Sequence, residues 1–393
     1  MTGAGSSMRP AAALAALLVL VACATNKQKN IDEPADLTKF TSTLRIQQVW
    51  SAKTSSGEPK LRLGLAVATD GTSVYAAGHD GQVVALDPAS GKRLWQTRTK
   101  LKLTGGPGAG EGIVVAGTGY GDVVALDAAT GVQKWKAYIS SEVLAPPAIG
   151  GGVVVVRMVD GRVVALKVSD GSQVWTAEPA TTVPKLSLRG TSRPVIIEDV
   201  ALCGFDTGRV MALSLRDGST LWDVSVAPPS GKSEVERLND IDSAVKVMDG
   251  EVYAVTYQGK AALLNRDTGQ SLWTRDISSY AGLATDPAGV FISSSGGALV
   301  KMDRRTGVEM WKQEVLEHRR LSPPAVLGSF VAVADLDGYV HFFDTAEGQL
   351  AGRIHALGGR VTAAPLVIGD LLIMMDDKGR IVALRATPIA AKG

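Results

Sequence analysis

Two polar segments near the middle of the chain carry the side chains best suited to binding another molecule. The first contains Leu186, Leu188 and Arg189, and an apolar pair beside a guanidinium is a composition typical of interface hot spots. The second contains Asp240 and Asp242, whose carboxylates can accept hydrogen bonds or pair with cations, including Arg189. Alternatively, the leucines cover an apolar core and the aspartates close turns. We favour the first interpretation, so these residue types predict recognition of a partner rather than catalysis.

The composition offers little to a metal or redox site. The chain has 393 residues, four histidines and two cysteines, and its net charge is +2. Histidine and cysteine do not cluster, which argues against zinc or iron, and the balanced charge argues against a nucleic-acid partner. Cys203 lies in an apolar Val-Ala-Leu-Cys-Gly run, where we expect a small buried side chain rather than a nucleophile. We predict no catalytic residue, no metal site and no cofactor.

Residues 1–22 have the features of a targeting signal. Arg9 precedes an apolar run over residues 11–21, which is too short to span a bilayer as a helix. The run ends in Leu-Val-Ala-Cys23 and resembles a bacterial lipobox, in which the cysteine is lipidated after cleavage. Met8 is an alternative start, and an ordinary secretory signal is the alternative interpretation. With Cys23 lipidated, the chain has no cysteine pair left for a disulfide.

The residue after Cys23 and the segment that follows it indicate where the mature protein resides. By resemblance to other lipoproteins, Ala24 in place of aspartate implies the outer membrane, with the protein facing the periplasm. Several acyl chains make such an anchor stable. Residues 24–43 are polar and aperiodic, so residues 23–43 are predicted to form the lipidated cysteine and a flexible tether.

One phrase recurs through the remainder of the chain. It reads Gly-x-Val-Val-Ala-Leu-Asp. Counted from this first glycine, a second glycine follows after ten residues and a tryptophan after fourteen. The copies begin at Gly81, Gly121, Gly161, Gly208, Gly259, Gly297, Gly338 and Gly379. An apolar run, an Asp-x-x-x-Gly turn and a second run predict a β-hairpin. Lys167 and Ser214 replace the aspartate of copies three and four, and Gly352 replaces the tryptophan of copy seven.

The period of the repeat predicts the fold. The copies are 40, 40, 47, 51, 38, 41 and 41 residues apart, and a period near 40 with only short strands is typical of propeller blades. The last copy runs out of chain before its tryptophan strand, whereas Trp50 precedes the first copy without a hairpin of its own. We therefore predict an all-β protein, an eight-bladed β-propeller of four-stranded antiparallel blades over residues 44–388. Its N-terminal strand completes the last blade, and residues 389–393 form a tail.

Variation in loop length predicts the binding face. From Trp95 onward, the interval from the tryptophan of one copy to the first glycine of the next is 26, 26, 33, 37, 24 and 27 residues, and the long intervals follow Trp175 and Trp222. Both insertions fall in loops that cross from one blade to the next. Such crossings share one face of a propeller, and insertions on one face often mark a binding surface. These two insertions contain the residues described first.

Taken together, the lipobox, the repeated hairpins and the loops Leu-Ser-Leu-Arg-Gly190 and Arg237-Leu-Asn-Asp-Ile-Asp resemble the outer-membrane protein assembly factor BamB family. That resemblance implies a non-catalytic scaffold lipoprotein of the β-barrel assembly (BAM) complex. It would bind the periplasmic POTRA domains of the barrel subunit BamA through Leu186, Leu188, Arg189, Asp240 and Asp242, and assist insertion of β-barrel proteins. The hairpin phrase alone is not specific to this family.

Two further functions are compatible with parts of the sequence. Pyrroloquinoline-quinone (PQQ) dehydrogenases resemble this chain in repeat motif and blade number. However, the chain has no insertion large enough to roof a cofactor, and it lacks the adjacent cysteines of many such enzymes. Direct binding of unfolded outer-membrane proteins, by strand addition to a blade edge, is compatible with scaffolding. We therefore expect a scaffold, with the periplasmic quinone-dependent dehydrogenase as the alternative.

Overall fold

All regular elements in the described part of the chain are β-strands. The computed structural model describes residue 3 and residues 33–54, 63–178, 192–228 and 239–389. Within these residues, no helix is long and apolar enough to cross a membrane. The strands form eight sheets, one for each copy of the repeat.

Each sheet is a blade whose strands run in chain order from the central channel outward. Two strands, β1 (Leu44–Lys53) and β2 (Gly64–Leu65), come first in the chain. Blade 1 consists of β3 (Val67–Thr69), β4 (Val74–Ala77), β5 (Gln82–Leu86) and β6 (Arg93–Arg98), and blade 2 of β7 (Leu103–Gly110), β8 (Ile113–Thr118), β9 (Asp122–Asp127) and β10 (Gln133–Tyr138). Blade 3 consists of β11 (Ala148–Gly150), β12 (Val153–Arg157), β13 (Val163–Lys167) and β14 (Gln173–Ala177), and blade 4 of β15 (Val195–Ile197), β16 (Val200–Gly204), β17 (Arg209–Ser214) and β18 (Thr220–Ser225). β2 adds a short parallel strand to β7 of blade 2.

Blades 5 to 7 repeat this pattern, and blade 8 has three strands from the end of the chain. Blade 5 consists of β19 (Lys246–Met248), β20 (Glu251–Val255), β21 (Lys260–Asn265) and β22 (Ser271–Asp276), and blade 6 of β23 (Gly282–Thr285), β24 (Gly289–Ser293), β25 (Leu299–Asp303) and β26 (Glu309–Gln313). Blade 7 consists of β27 (Ala325–Leu327), β28 (Phe330–Ala334), β29 (Tyr339–Asp344) and β30 (Leu350–His355). Blade 8 contains β31 (Leu366–Ile368), β32 (Leu371–Met375) and β33 (Arg380–Pro388).

The ring closes as the sequence predicts. β1 pairs antiparallel with β33, from Leu44 opposite Pro388 to Lys53 opposite Arg380, and so becomes the outer strand of blade 8. The two ends of the fold are thereby hydrogen-bonded to each other, and blade 8 has four strands like the other blades. The predicted eight-bladed propeller is confirmed.

The hydrophobic core is divided among the seams between neighbouring blades. In β9, Val123 and Ala125 pack with residues of blade 3, whereas Val124 and Leu126 face blade 1. Because successive side chains of a strand point to opposite sheet faces, both sets are apolar only if both faces are covered. This explains why the repeat reads Val-Val-Ala-Leu without polar alternation.

The tryptophans connect each blade to the next. Every tryptophan indole donates a hydrogen bond to a main-chain carbonyl in the hairpin of the following blade, at 2.7–3.3 Å. The ring lies against the second glycine of that hairpin. A Cβ on Gly269, for example, would lie 2.7 Å from the ring of Trp222, and this glycine has a φ of +71°. The repeat therefore needs glycine there for both its conformation and its contact.

The hairpins of copies three and four, in which Lys167 and Ser214 replace the aspartate, close in another way. In the standard copies the aspartate caps the turn, as when the Asp127 carboxylate accepts a hydrogen bond from the Thr130 amide at 2.9 Å. In the copies with Lys167 and Ser214, an aspartate inside the turn takes over. Asp170 accepts from the Ser172 amide at 2.8 Å, and Asp217 accepts from the Ser219 amide at 3.1 Å. The turn chemistry of the repeat is preserved with a shifted residue.

The missing seventh tryptophan follows from the closure. A tryptophan in place of Gly352 would face blade 8, whose third and outer strands are the two ends of the fold and have no hairpin between them. A Cβ on Gly352 would instead lie 2.8 Å from the Ile46 side chain and 3.1 Å from Cβ of Leu44, both in β1. Glycine is therefore the residue that fits this position.

We expect Gly352→Trp to lower the free energy of unfolding by about 1–3 kcal/mol, the usual cost of overpacking a filled site. Urea unfolding of the variant beside the wild type measures this difference. An unchanged or higher stability would contradict the idea that β1 occupies the place where the tryptophan docks in the other blades.

The segment before β1 lies against the propeller and does not extend freely to residue 43. Ala35 donates its amide to the carbonyl of Glu317 at 2.9 Å, and Thr43 donates to the carbonyl of Ala351 at 2.9 Å. Between them, Arg353 donates to the carbonyl of Thr38 at 2.7 Å. Residues 35–43, the end of the predicted tether, are thus hydrogen-bonded to the crossing before blade 7 and to the outer strand of that blade.

Candidate functional site

The ring has two faces that differ in their loops. The crossing face carries the loops that run from the outer strand of one blade to the inner strand of the next. It also carries the turns between the second and third strands of each blade. The hairpin face carries the Asp-x-x-x-Gly turns. Strand direction alternates within a blade, so every crossing loop must lie on the same side. Both long insertions are therefore on the crossing face.

The described ends of the two insertions are held together above blade 4. The Ser192 hydroxyl, at the end of the first insertion, donates to the carbonyl of Ser243, at the end of the second, at 2.9 Å. The amide of Asn239 donates to the carbonyl of Ala227 and closes the base of the second insertion. Ile241 is fully buried in the core between blades 4 and 5. These contacts give the two insertions one rigid base.

The predicted binding residues fall partly inside and partly outside the described chain. Leu186, Leu188 and Arg189 lie outside the described residues, as does Cys23. Asp240 is only 1% exposed, and its carbonyl accepts a hydrogen bond from the Tyr257 amide at 2.9 Å.

The two aspartates of the second insertion thus differ in position. Asp242 is half-buried, whereas the carboxylate of Asp240 does not form part of the chain's outer surface. Asp240 therefore shapes the base of the insertion, and a contact with a partner stays a prediction for both residues.

A buried ion pair stabilises the platform beneath the insertions. Arg157, at the end of β12, pairs with Asp206 in the turn of blade 4, and both side chains are less than 5% exposed. The guanidinium also lies over the ring of Phe205, 5.5 Å from its centroid. The amide of Ile241 donates to the carbonyl of Phe205 at 3.1 Å, which connects this pair to the second insertion. Blades 3 and 4 and the insertion thus form one unit.

An aromatic pair beside the second insertion was missed in the sequence. Tyr257, in the turn of blade 5, and Tyr280, in the crossing to blade 6, are both half-buried, with ring centroids 6.4 Å apart. Tyrosine is enriched at interfaces because it combines apolar area with a polar end. Tyr257 stands two residues before Gly259 of its copy, so the repeat alignment placed it on the crossing face. Only the fold brings Tyr280 next to it.

Cys203 is a structural residue rather than a reactive thiol. Cys203 is fully buried in β16, and burial raises the pKa of its thiol to about 12, which confirms the predicted small buried side chain. Within the described residues, no group of three or more His, Cys, Asp or Glu side chains is arranged to hold a metal ion.

With this geometry in hand, comparison with known proteins identifies the family. The family model described as outer membrane protein assembly factor BamB matches residues 38–100, 79–313 and 281–388. A relative from Pseudomonas aeruginosa with that name is 45% identical over 373 residues, which cover 95% of this chain and 97% of the relative. The chain belongs to the BamB family. The crystal structure of BamB from Moraxella catarrhalis superposes with a TM-score of 0.79 at 30% identity, over 87% of this chain and all of that one.

Enzymes are similar to this BamB-family chain in fold alone. A quinohemoprotein alcohol dehydrogenase from Comamonas testosteroni superposes with a TM-score of 0.65 at 14% identity, over 86% of this chain and 76% of the enzyme. At this identity the likeness reflects a shared propeller architecture and carries no information about chemistry.

Proposed function

We propose that this protein is a non-catalytic scaffold of the machinery that assembles β-barrel proteins into the outer membrane. The observation that carries the proposal is the similarity over nearly the full length to proteins named outer membrane protein assembly factor. By family resemblance, the partner is the set of POTRA domains of the barrel subunit, BamA. The place of action is the periplasmic face of the outer membrane.

The crossing face around blade 4 is the proposed docking surface. Its two insertions rise from one base, which the Ser192–Ser243 hydrogen bond and the buried Arg157–Asp206 pair hold in place. A rigid base reduces the conformational entropy lost when a partner binds. Leu186, Leu188 and Arg189 belong to the first of these insertions.

The aromatic pair extends the proposed surface toward blade 6. Tyr257 is hydrogen-bonded through its amide to Asp240, so it is positioned by the second insertion itself. Half-buried tyrosines are typical of an interface centre, as are the arginine and the two leucines that the first insertion carries in its sequence. We therefore add Tyr257 and Tyr280 to the proposed contact residues.

The path of the N-terminal segment supports a membrane-attached scaffold. Ala35 lies on the crossing face, where its carbonyl accepts a hydrogen bond from Arg319 at 2.9 Å. Only eleven residues lie between Ala35 and the proposed lipidated Cys23. A fully extended chain of that length spans roughly 40 Å. With lipidation at Cys23, this face would stay within that distance of the membrane surface.

Binding of the chain from residue 24 onward to the tandem POTRA domains of the cognate barrel subunit tests the scaffold proposal. We expect saturable binding by the wild type. Arg189→Glu removes the hydrogen-bond donors of the guanidinium and introduces a carboxylate into the first insertion. The second insertion already carries Asp240 and Asp242. We expect the substitution to weaken binding by at least about 2 kcal/mol, roughly thirtyfold in Kd. Isothermal titration calorimetry measures both.

Arg216→Glu is the matched control for this charge reversal. Arg216 is exposed in the hairpin of the same blade but on the opposite face, so its reversal should leave the affinity unchanged. Equal losses for both variants would argue for a general charge effect and against this docking face. If the wild type itself does not bind, the proposed partner is wrong.

A further inference from the structure

The segment that precedes β1 is fastened to blade 7 by two arginines, and we call residues 35–43 the strap. Arg319, in the crossing to blade 7, donates to the carbonyl of Ala35 at 2.9 Å. Arg353, on β30, donates to the carbonyl of Thr38 at 2.7 Å. The docking of the strap therefore depends on where two guanidinium groups are held.

Both of these arginines are neighbours of one fully buried histidine. His341, on β29, lies directly opposite Arg353 in the strand pairing, so the two side chains project from the same side of the sheet. The Nε2 atom of His341 lies 3.0 Å from a carboxylate oxygen of Asp335, and Arg319 donates to the same oxygen at 2.8 Å. On its own strand, the ring centroid of Tyr339 lies 6.3 Å from that of the imidazole. The charge of His341 therefore acts on both groups that hold the strap.

The surroundings of His341 fit a neutral imidazole better than an imidazolium. Its Nδ1 atom is buried and, among the described residues, has no hydrogen-bond partner. Val333 lies opposite it on β28 and belongs to the apolar core between blades 6 and 7. Lys301 of blade 6 is buried beside this core, but its ammonium donates to the carbonyl of Thr345 at 2.6 Å. A second proton on the ring would therefore place an N–H without an acceptor in an apolar seam.

Protonation would also disturb the charge balance of the network. Asp335 is fully buried and balances Arg319, and Arg353 adds a further positive charge beside them. Asp337 pairs with Arg319 at 2.6 Å, but it is exposed, and water weakens this attraction. An imidazolium would compete with Arg319 for the buried oxygen that both contact. Arg319 is the group that can yield, because its guanidinium already reaches the exposed Asp337, whereas His341 is fixed within a strand.

We propose that the strap is a latch controlled by the charge of His341, docked on blade 7 while the imidazole is neutral and released when it is protonated. Release breaks the hydrogen bond to Ala35 and withdraws Leu37 from the core between blades 6 and 7, against which it packs. The point at which the chain leaves the propeller then moves from Ala35 to Thr43, which adds roughly 30 Å of reach. A longer tether to the membrane rests on the proposed lipidation at Cys23, whereas the latch itself does not.

The direction of the pH response follows from the proton that is taken up. Burial lowers the pKa of His341 below its ordinary value of 6.5, although Asp335 opposes this effect. When the strap is released and water reaches the ring, the pKa returns toward 6.5. The released form therefore binds the proton more tightly, so docking is strongest above pH 6.5 and weakens as the pH falls below it. Asp335, whose pKa is lowered from 3.8, stays charged down to about pH 5.

A pH titration with a fluorinated Phe40 tests the latch. In the docked strap the Arg353 guanidinium lies over this ring, 5.2 Å from its centroid, so the fluorine NMR signal distinguishes docked from released strap. The protein is the chain from residue 24 onward, grown with fluorophenylalanine, and Phe40→Leu assigns the signal. We expect the ratio of docked to released strap to fall by up to about tenfold for each pH unit below about 6.5, because release takes up one proton. The signals of the buried Phe291 and Phe342 should stay unchanged down to about pH 5.

His341→Gln separates the histidine from other effects of acid. Glutamine keeps a donor for Asp335 but takes up no proton in this range, so the strap should stay docked down to about pH 5. His355→Gln is the matched control, since His355 is exposed on the same strand as Arg353 and its loss should leave the transition unchanged.

Three results would overturn the latch. The Phe40 signal of the wild type shows no transition, or the buried phenylalanines change together with it and the whole propeller unfolds. Alternatively, a folded His341→Gln releases the strap as the wild type does. If that variant does not fold, the ring signal of His341 in the wild type decides, because protonation of this histidine and release of the strap must occur over the same pH range.

Discussion

Asp335→Asn is expected to lower the free energy of unfolding by about 3–5 kcal/mol. Asp335 is fully buried, and its carboxylate accepts hydrogen bonds from Arg319 at 2.8 Å and from His341 at 3.0 Å. Its other oxygen accepts from the amides of Asp337 and Tyr339, each at 3.0 Å. An asparagine has nearly the same shape but turns one acceptor into a donor and leaves the Arg319 guanidinium without its buried counter-charge. Urea unfolding at pH 7 measures the loss.

The protonation of this network supports a charged Asp335. Burial alone would raise the pKa of Asp335, but the hydrogen bonds from His341 and Arg319 outweigh it and the pKa is lowered. For His341, burial lowers the pKa and the neighbouring Asp335 raises it, and the effect of burial is the larger. At pH 7 the carboxylate therefore carries the charge that balances Arg319.

Asp337→Asn is the matched control, since Asp337 binds the same guanidinium at 2.6 Å but its side chain is 52% exposed. Its loss should cost less than about 1 kcal/mol, as for other exposed pairs. Arg319 also holds the carbonyl of Ala35, so Asp335→Asn should additionally make residues 33–43 more sensitive to limited proteolysis. Similar losses for the two variants would show that burial of the charge is not what matters here.

Trp222→Ala is expected to destabilise the propeller by about 3–5 kcal/mol, in the range for truncation of a buried tryptophan. Trp222 is 9% exposed, packs in the seam between blades 4 and 5, and donates to the carbonyl of Arg266 at 2.7 Å. Its removal opens a cavity at the seam that lies beneath the second insertion. Chemical denaturation gives the change in stability.

Leu221→Ala provides the comparison on the same strand, because Leu221 is 54% exposed and its truncation should change stability by no more than about 0.5 kcal/mol. A double-mutant cycle sharpens the test. Gly269→Ala places a methyl group against the Trp222 ring, so part of its cost should vanish in the Trp222→Ala background. Additive effects would contradict the docking of the indole on this glycine.

The architecture of this protein is readable from its sequence because each repeat contains the whole of its own local chemistry. The apolar strand, the turn glycine and the tryptophan lie within fifteen residues of one another, so their spacing specifies a hairpin without distant information. Counting the copies then specifies the ring, and Trp50 without a hairpin of its own specifies how it closes. The placement of both insertions on one face followed from the same alternation of strands.

Tertiary structure alone decided the features that depend on residues far apart in the chain. The burial of Asp240 arises where the turns of blades 4 and 5 meet the second insertion, so its polar sequence neighbourhood could not indicate it. Polar composition predicted a free tether up to residue 43, yet Arg319 and Arg353, some three hundred residues later, hold that segment. Local propensity and periodicity determine the elements, whereas burial and charge pairing depend on which elements become neighbours.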